Sequence, residues 1–303
     1  MRESHVATLW AVMAIAAGPA AGQDPARDAL REQLKGELGG AAGFELVETG
    51  PLFVLTQVHE KRLCQELEQR VGLLQEVLER DFPFRPAEGA DPPAPVVVRL
   101  FRDPAAYAAA GGPQASVNYV DAEAKRFLIV DRSATARRDF WRALAGLQFK
   151  AHWVRAAGLP WPHGWFLHGH EDYYAGFELT AGRLVRKPNP WRLETIRQVA
   201  RQRQHIPFSE FLRWFGPGYH GTGSNFLQNY LEAYAQGWSC VWFLRTLPET
   251  HRKPPGWQPG WELILDRYLS GMRTARDRGA AIDAALLDID LAALEDAWLA
   301  SLE

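Results

Sequence analysis

Two short stretches hold most of the residues that could do chemistry. One is Gln148-Phe149-Lys150-Ala151-His152, inside an otherwise apolar segment. The other is His168-Gly169-His170-Glu171-Asp172-Tyr173-Tyr174. Imidazoles bind divalent metals and move protons near neutral pH, and carboxylates orient them or accept protons themselves. On a helix, Asp172 shares a face with His168 at a four-residue step, and Glu171 follows at three. His170 points ~200° away from His168 and cannot join it on one metal. His170 and Glu171 therefore read as a packing or solvated pair, although Glu171 is the carboxylate of this helix that could replace a missing base. Tyr173, Tyr174 and Tyr234 could stabilise an oxyanion or fill helix contacts. His163 reads as a loop residue beside Pro162. Trp153, Trp161 and Trp165 flank the same loop, either as core or as an aromatic platform for a sugar or peptide.

Two helices must present these groups. The first starts at the N-cap candidate Ser133 and runs to about Arg155, with Phe140, Leu144, Leu147, Ala151 and Val154 as its buried stripe. A Gly158–Gly164 loop with two prolines leads to a second helix over about Trp165–Phe177. Before this pair the pattern is mixed. Strand-like runs cover Phe44–Glu48, Leu52–Thr56 and Val96–Phe101, and Val117–Val120 with Phe127–Val130 forms a hairpin. An amphipathic helix carries Cys64, Leu67, Val71, Leu74 and Leu78 between the second and third strands, and a proline-rich loop over Pro83–Pro95 follows it. After Pro190 the chain reads as helical: Leu193–Gln204, Phe208–Trp214, Asn225–Leu247, Trp261–Met272 and Leu291–Leu302.

Composition narrows the classes. The 303 residues are 47% hydrophobic and 23% charged, which excludes wholesale disorder. A net charge of -2 and a pI near 6.5 argue against a nucleic-acid-binding surface. The basic stretch from Arg183 to Arg203 then reads as a solvated face. Residues 1–22 have the pattern of a secretory signal: Arg2, a short apolar run, and small residues ending at Gly22. No later segment is apolar for long enough to span a bilayer, so an exported chain without a transmembrane segment is expected. The two cysteines, Cys64 and Cys240, lack metal-site spacing and read as buried thiols. Of the 12 tryptophans, all but Trp10 lie at or beyond Trp141, which suggests two halves of different construction.

In His-Glu-x-x-His, two imidazoles four apart on one helical face reach one zinc ion, and the Glu takes a proton from the metal-bound water. Gln148-Phe149-Lys150-Ala151-His152 stands where that motif would stand. Pro162-His163-Gly164-Trp165-Phe166-Leu167-His168-Gly169 stands where Pro-x-Trp-Leu-x-Glu-Gly would supply a third ligand. Together with the early strands, Tyr234-Ala235-Gln236-Gly237-Trp238 and Leu294-Glu295-Asp296-Ala297-Trp298, the chain resembles a bacterial family of exported proteins of unknown function with a gluzincin-type, peptidase-MA-like domain. The resemblance implies a zincin-like fold and, in intact members, metal-dependent peptide hydrolysis. It also implies the ligand positions Gln148, His152 and His168, the base position Phe149, and Asp172 as the carboxylate that orients a ligand histidine. An amide is a poor zinc ligand and a phenyl ring accepts no proton, so the motif is degenerate.

The expectations are these. The fold class is α+β and zincin-like: a mixed strand and helix lobe with a small sheet, a helix pair, and a mainly helical C-terminal lobe. Residues 23–42 form a tether or short helix, 43–180 the α/β lobe with the helix pair, and 181–303 the helical lobe. The function is a metallopeptidase homologue that has lost catalysis and binds a peptide or protein in its cleft, with no cofactor. One alternative is a hydrolase with a rebuilt zinc site on His152, His168 and Glu171 or Asp172. Another is a carbohydrate- or envelope-binding protein using exposed tryptophans. The zincin reading requires Gln148, His152 and His168 to converge within a few ångströms, and fails if they do not.

Overall fold

A computed structural model of the chain describes residues 25–38, 43–49, 52–83, 96–113, 118–121, 126–130, 137–155, 159–213, 226–246, 249 and 253–303. The expected signal segment 1–22, the N-cap Ser133, and most of the proline-rich loop lie outside the described residues.

The first helix, α1 (Pro25–Leu38), docks on the sheet. Leu34 packs on Phe53 and Leu55, and Arg31 reaches Glu48 at 2.6 Å. The strands β1 (Glu45–Glu48), β2 (Leu52–Thr56), β3 (Val96–Phe101), β4 (Asn118–Asp121) and β5 (Arg126–Val130) form one mixed sheet in the order β1-β2-β3-β5-β4. β2, β3 and β5 are parallel and central, while β1 and β4 are antiparallel edges. The central strands are rich in Val, Leu, Ile and Phe because both faces are covered. All of β2 is buried. The crossover from β2 to β3 is α2 (Lys61–Asp81), whose Leu63, Leu67, Val71, Leu74 and Leu78 repeat at helical spacing and are buried. The short α3 (Pro104–Ala109) follows β3, with the Asp103 carboxylate accepting from the backbone N–H of Ala105 at 2.9 Å.

From β5 the chain enters α4 (Arg137–Arg155) and then α5 (Gly164–Ala175), the expected helix pair. Two faces of α4 serve two cores. Phe140, Leu144, Leu147 and Ala151 pack on the sheet and α2, whereas Phe149 and Trp153 pack among the helices that follow. The second core holds Trp153, Trp165, Trp238, Trp261 and Trp298, while the sheet-side core has only Trp141, packed at its margin. The uneven tryptophan distribution is thus an uneven pair of cores meeting on one helix.

An unexpected hairpin, β6 (Phe177–Thr180) with β7 (Arg183–Arg186), follows α5. The remainder is helical: α6 (Pro190–Arg201), α7 (Phe208–Phe211), α8 (Phe226–Thr246), α9 (Ile264–Ala275), α10 (Arg278–Ala285) and α11 (Leu291–Ser301). Among the described residues, no helix is long and apolar enough to cross a membrane. α8 crosses α5 closely because two glycines face each other. A Cβ on Gly169 would lie 2.5 Å from the Gly237 carbonyl oxygen, and one on Gly237 would lie 3.3 Å from that of Trp165. Gly237 is one turn from Tyr234, and Gly169 adjoins His168, so this crossing sets the distance between those two side chains.

Candidate functional site

The helix pair places the motif residues on different sides of α4. Gln148 is 1% exposed, and its amide nitrogen donates to the Val71 carbonyl of α2 at 2.8 Å. His152 is buried beside it. Its Nε2 lies 3.1 Å from the Phe82 carbonyl, which can only accept, so Nε2 carries the proton and Nδ1 accepts from the Gln75 amide at 3.2 Å. Both residues are turned toward α2 and the chain just after it. Phe149 is 0% exposed, stacked on His170 at 5.6 Å and tilted against Phe82 and Tyr174.

His168 faces elsewhere. Its Nδ1 meets one Glu171 carboxylate oxygen at 2.6 Å, its Nε2 meets the Tyr234 hydroxyl at 3.2 Å, and its ring stacks on Tyr234 at 4.3 Å. The other Glu171 oxygen takes the Lys150 ammonium at 2.6 Å. Burial would raise the Glu171 pKa, but Lys150 and His168 outweigh it and hold the carboxyl below its ordinary value. Gly146, one turn before Lys150, leaves room for Glu171: a Cβ there would lie 3.3 Å from the carboxylate. The face of α4 that meets His168 therefore carries Gly146 and Lys150. Residues 148 and 152 lie two positions away, ~200° around the axis.

Gln148, His152 and His168 therefore do not converge, and the expected ligand geometry is absent. The carboxylate on His168 is Glu171, three residues on, and not Asp172. Asp172 pairs with Arg192 of α6 at 2.7 Å, and the Arg192 guanidinium lies 5.4 Å from the Tyr234 ring centre. Burial raises the Asp172 pKa against the pull of Arg192. The result is a half-buried polar run of Lys150, Glu171, His168 and Tyr234, with the Asp172–Arg192 pair beside it.

These donors do not fit a zinc ion. Gln148 offers an amide already bonded to backbone, both His152 nitrogens are engaged, and both Glu171 oxygens are taken by positively charged or N–H partners. Among the described residues, no three or more His, Cys, Asp and Glu side chains are placed to hold a metal. The run can instead pass a proton between Tyr234, His168 and Glu171, or present its outer edge to a ligand.

The remaining candidates resolve into packing. His170 is fully buried, donating from Nδ1 to the Phe166 carbonyl at 2.7 Å and accepting from Arg245 at 2.9 Å, and burial pushes its pKa well down. Arg245 also meets Asp81 at 3.3 Å, which accepts from the Tyr174 hydroxyl at 2.8 Å. Tyr173 receives a bond from Arg186 at 2.7 Å. His163 is the last loop residue before α5, as its place beside Pro162 suggests, and it is buried and bonded to Tyr268. Trp165 is 0% exposed and donates to the Leu212 carbonyl; Trp153 is 2% exposed and donates to Pro160, and Trp161 is half-buried. None of the three forms an open platform. Nor is the Arg183–Arg203 stretch a solvated face throughout, because Arg192 is buried and Arg197 donates to the Leu302 carbonyl at 2.6 Å. Cys64 and Cys240 are both free thiols.

Compared with known proteins, the chain matches no protein-family model and no curated protein. Lys150, Gly146 and Arg192 are the residues of this region that sequence reasoning missed. A four-residue Gly146–Lys150 step on the helix before His168 was the available signal.

Proposed function

We propose that the chain is an exported α+β protein without peptidase chemistry, which binds a peptide or protein over the α4–α5 pair. The observation that carries this reading is the placement of Lys150. Its ammonium is 2.6 Å from Glu171, which also meets His168, so the carboxylate beside His168 is already neutralised by an internal cation and is not free to hold a metal. A tethered ammonium neutralises the carboxylate but cannot activate water as a Lewis acid does.

Two further features support it. Phe149, at the base position of the resemblance, belongs to the aromatic core. The edge strand β4 packs against α4, and among the described residues it pairs on one side only, so an extended peptide could add there as a further strand. The export part of the proposal rests on the residue pattern of 1–22. A rebuilt zinc hydrolase is the weaker reading, since its ligands have other partners, and so is a glycan binder built on the loop tryptophans, since Trp153 and Trp165 are buried and Trp161 is half-buried.

Metal content and peptidase activity test the proposal together. The purified protein should hold no stoichiometric zinc and cleave no casein or peptide library in a chelator-sensitive way. Lys150→His should gain zinc affinity, because it adds an imidazole beside His168 and Glu171. Stoichiometric zinc in the wild type, or chelator-sensitive cleavage, would overturn it.

A further inference from the structure

A second concavity lies away from the Lys150–His168 run, between α2, α4 and the β6–β7 hairpin. Its volume is about 340 Å³, within the range of small-ligand sites. Arg70, Trp141, Arg142, Phe177 and Lys187 line it, with Glu178 as its acidic group. Arg70 is half-buried with its guanidinium 4.5 Å from the Trp141 ring centre. Its Nε is buried and has no hydrogen-bond partner among the described residues. The two carboxylates nearest to it in charge, Glu66 and Glu178, are paired with Arg62 at 3.3 Å and Lys187 at 2.6 Å. Arg70 is thus a half-buried cation without a carboxylate of its own among the described residues, stacked on an indole at the wall of a pocket of mixed apolar and charged lining. Burial lowers its pKa, consistent with an uncompensated charge.

We propose that this pocket binds a carboxylate attached to an apolar body, with Arg70 taking the carboxylate and Trp141 and Phe177 taking the apolar part. A guanidinium matches a carboxylate through paired N–H groups, and the stacked indole fixes its plane at little entropic cost. The hairpin supplies the far wall, and Lys187, just after β7, is already neutralised by Glu178, which leaves Arg70 to take the carboxylate. Such a group occurs either on a free carboxylic acid or at the C-terminus of a peptide ending in an apolar residue. The proposal is independent of peptide binding over the α4–α5 pair, because none of these residues belongs to the α4–α5 polar run.

Titration calorimetry on the full chain would use N-acetyl-leucine, the peptide acetyl-Ala-Ala-Leu with a free C-terminus, and the same peptide as its amide. At least one free acid should bind in the millimolar range or tighter, and the amide at least tenfold more weakly. Arg70→Met should lose tenfold or more, and Arg70→Lys should retain an intermediate affinity; circular dichroism would establish that both fold. A peptide that binds while N-acetyl-leucine does not would place the ligand at a chain end, and equal affinities would place it among free acids. Binding of acid and amide alike, an unchanged affinity in Arg70→Met, or no binding of either acid at 10 mM would overturn the proposal.

Discussion

Acid should weaken this fold through His163 before most carboxylates protonate. His163 is 4% exposed, and both its backbone N–H and its Nδ1 meet the Tyr268 hydroxyl at 2.9 Å. The hydroxyl accepts from the first and donates to the second, so the ring is neutral with its proton on Nε2. Burial, with Arg278 and Arg213 nearby, pushes the His163 pKa down from 6.5 to about 4. An unfolded chain takes up that proton at about 6.5, and the folded chain resists it until about 4. Stability from the neutral ring is therefore complete above 6.5 and drains as the pH falls to about 4. The rate is ~1.4 kcal/mol per pH unit, or ~3 kcal/mol over the interval. That is a large part of a typical net stability of ~5–15 kcal/mol. Urea unfolding of the wild type and His163→Gln at pH 7, 6, 5 and 4 reads this directly. The advantage of the wild type over the variant should shrink by ~3 kcal/mol between pH 7 and pH 4. Parallel stability curves for the two proteins across that range would refute the reasoning.

Three other outcomes follow from the packing. Gly169→Ala should destabilise by ~1–3 kcal/mol, because its Cβ meets the Gly237 carbonyl, and Gly237→Ala should cost less; equal urea midpoints for wild type and Gly169→Ala would contradict the close crossing. Asp81→Asn should lower stability by ~2 kcal/mol or more, since it strips the buried Arg245 of its carboxylate, and an unchanged midpoint would show that the network is idle. Under native conditions a maleimide should label Cys64 slowly and leave Cys240 untouched until denaturant is added, because burial shields Cys240 and raises its thiol pKa; two thiols should react after unfolding without reductant, and none would mean a disulfide.

Most elements were legible where one physical signal dominated. Val96–Phe101 is a strand with the bounds its β-branched run suggests, and Asp103-Pro104 starts a helix through its carboxylate cap. The apolar runs around Leu52 and Leu128 marked strands, but not that β2, β3 and β5 run parallel, since parallel pairing depends on crossovers rather than on local pattern. The β6–β7 hairpin was missed because Phe177-Glu178-Leu179-Thr180 is short. Its turn also places Ala181 at a φ of 49° before Gly182, a left-handed pair that Ala does not advertise. Helix α10 was missed because Arg278–Ala285 is only eight residues long and its buried face is two alanines and Ile282, too small for a clear stripe.

The site failed at a finer scale, and the failure is geometric. Periodicity places residues on a helix to within a face, but the partner of each face is decided by tertiary packing. On α4 the stripe Phe140, Leu144, Leu147 and Ala151 was read correctly as buried. The faces to its two sides, one with Gln148 and His152 and one with Gly146 and Lys150, differ by two positions and ~200°. A motif template chose the first because it contains a histidine. The structure gives α5 the second, because Gly146 is the position that lets the Glu171 side chain approach, and Lys150 supplies the charge that a buried carboxylate needs. Small and complementary residues, rather than the residues that could bind metal, determined which face met His168. The same logic makes Lys150→Met informative. If Glu171 depends on Lys150, the variant should lose ~1–3 kcal/mol, and because burial without Lys150 pushes the Glu171 pKa up, its stability should fall as pH rises past the ordinary carboxylate value of 4.5. Restoring neutrality with Glu171→Gln in the same chain should recover most of that loss. A double variant as unstable as the sum of the two single variants would show that the two residues are not coupled, and the internal-cation reading of the site would fall with it.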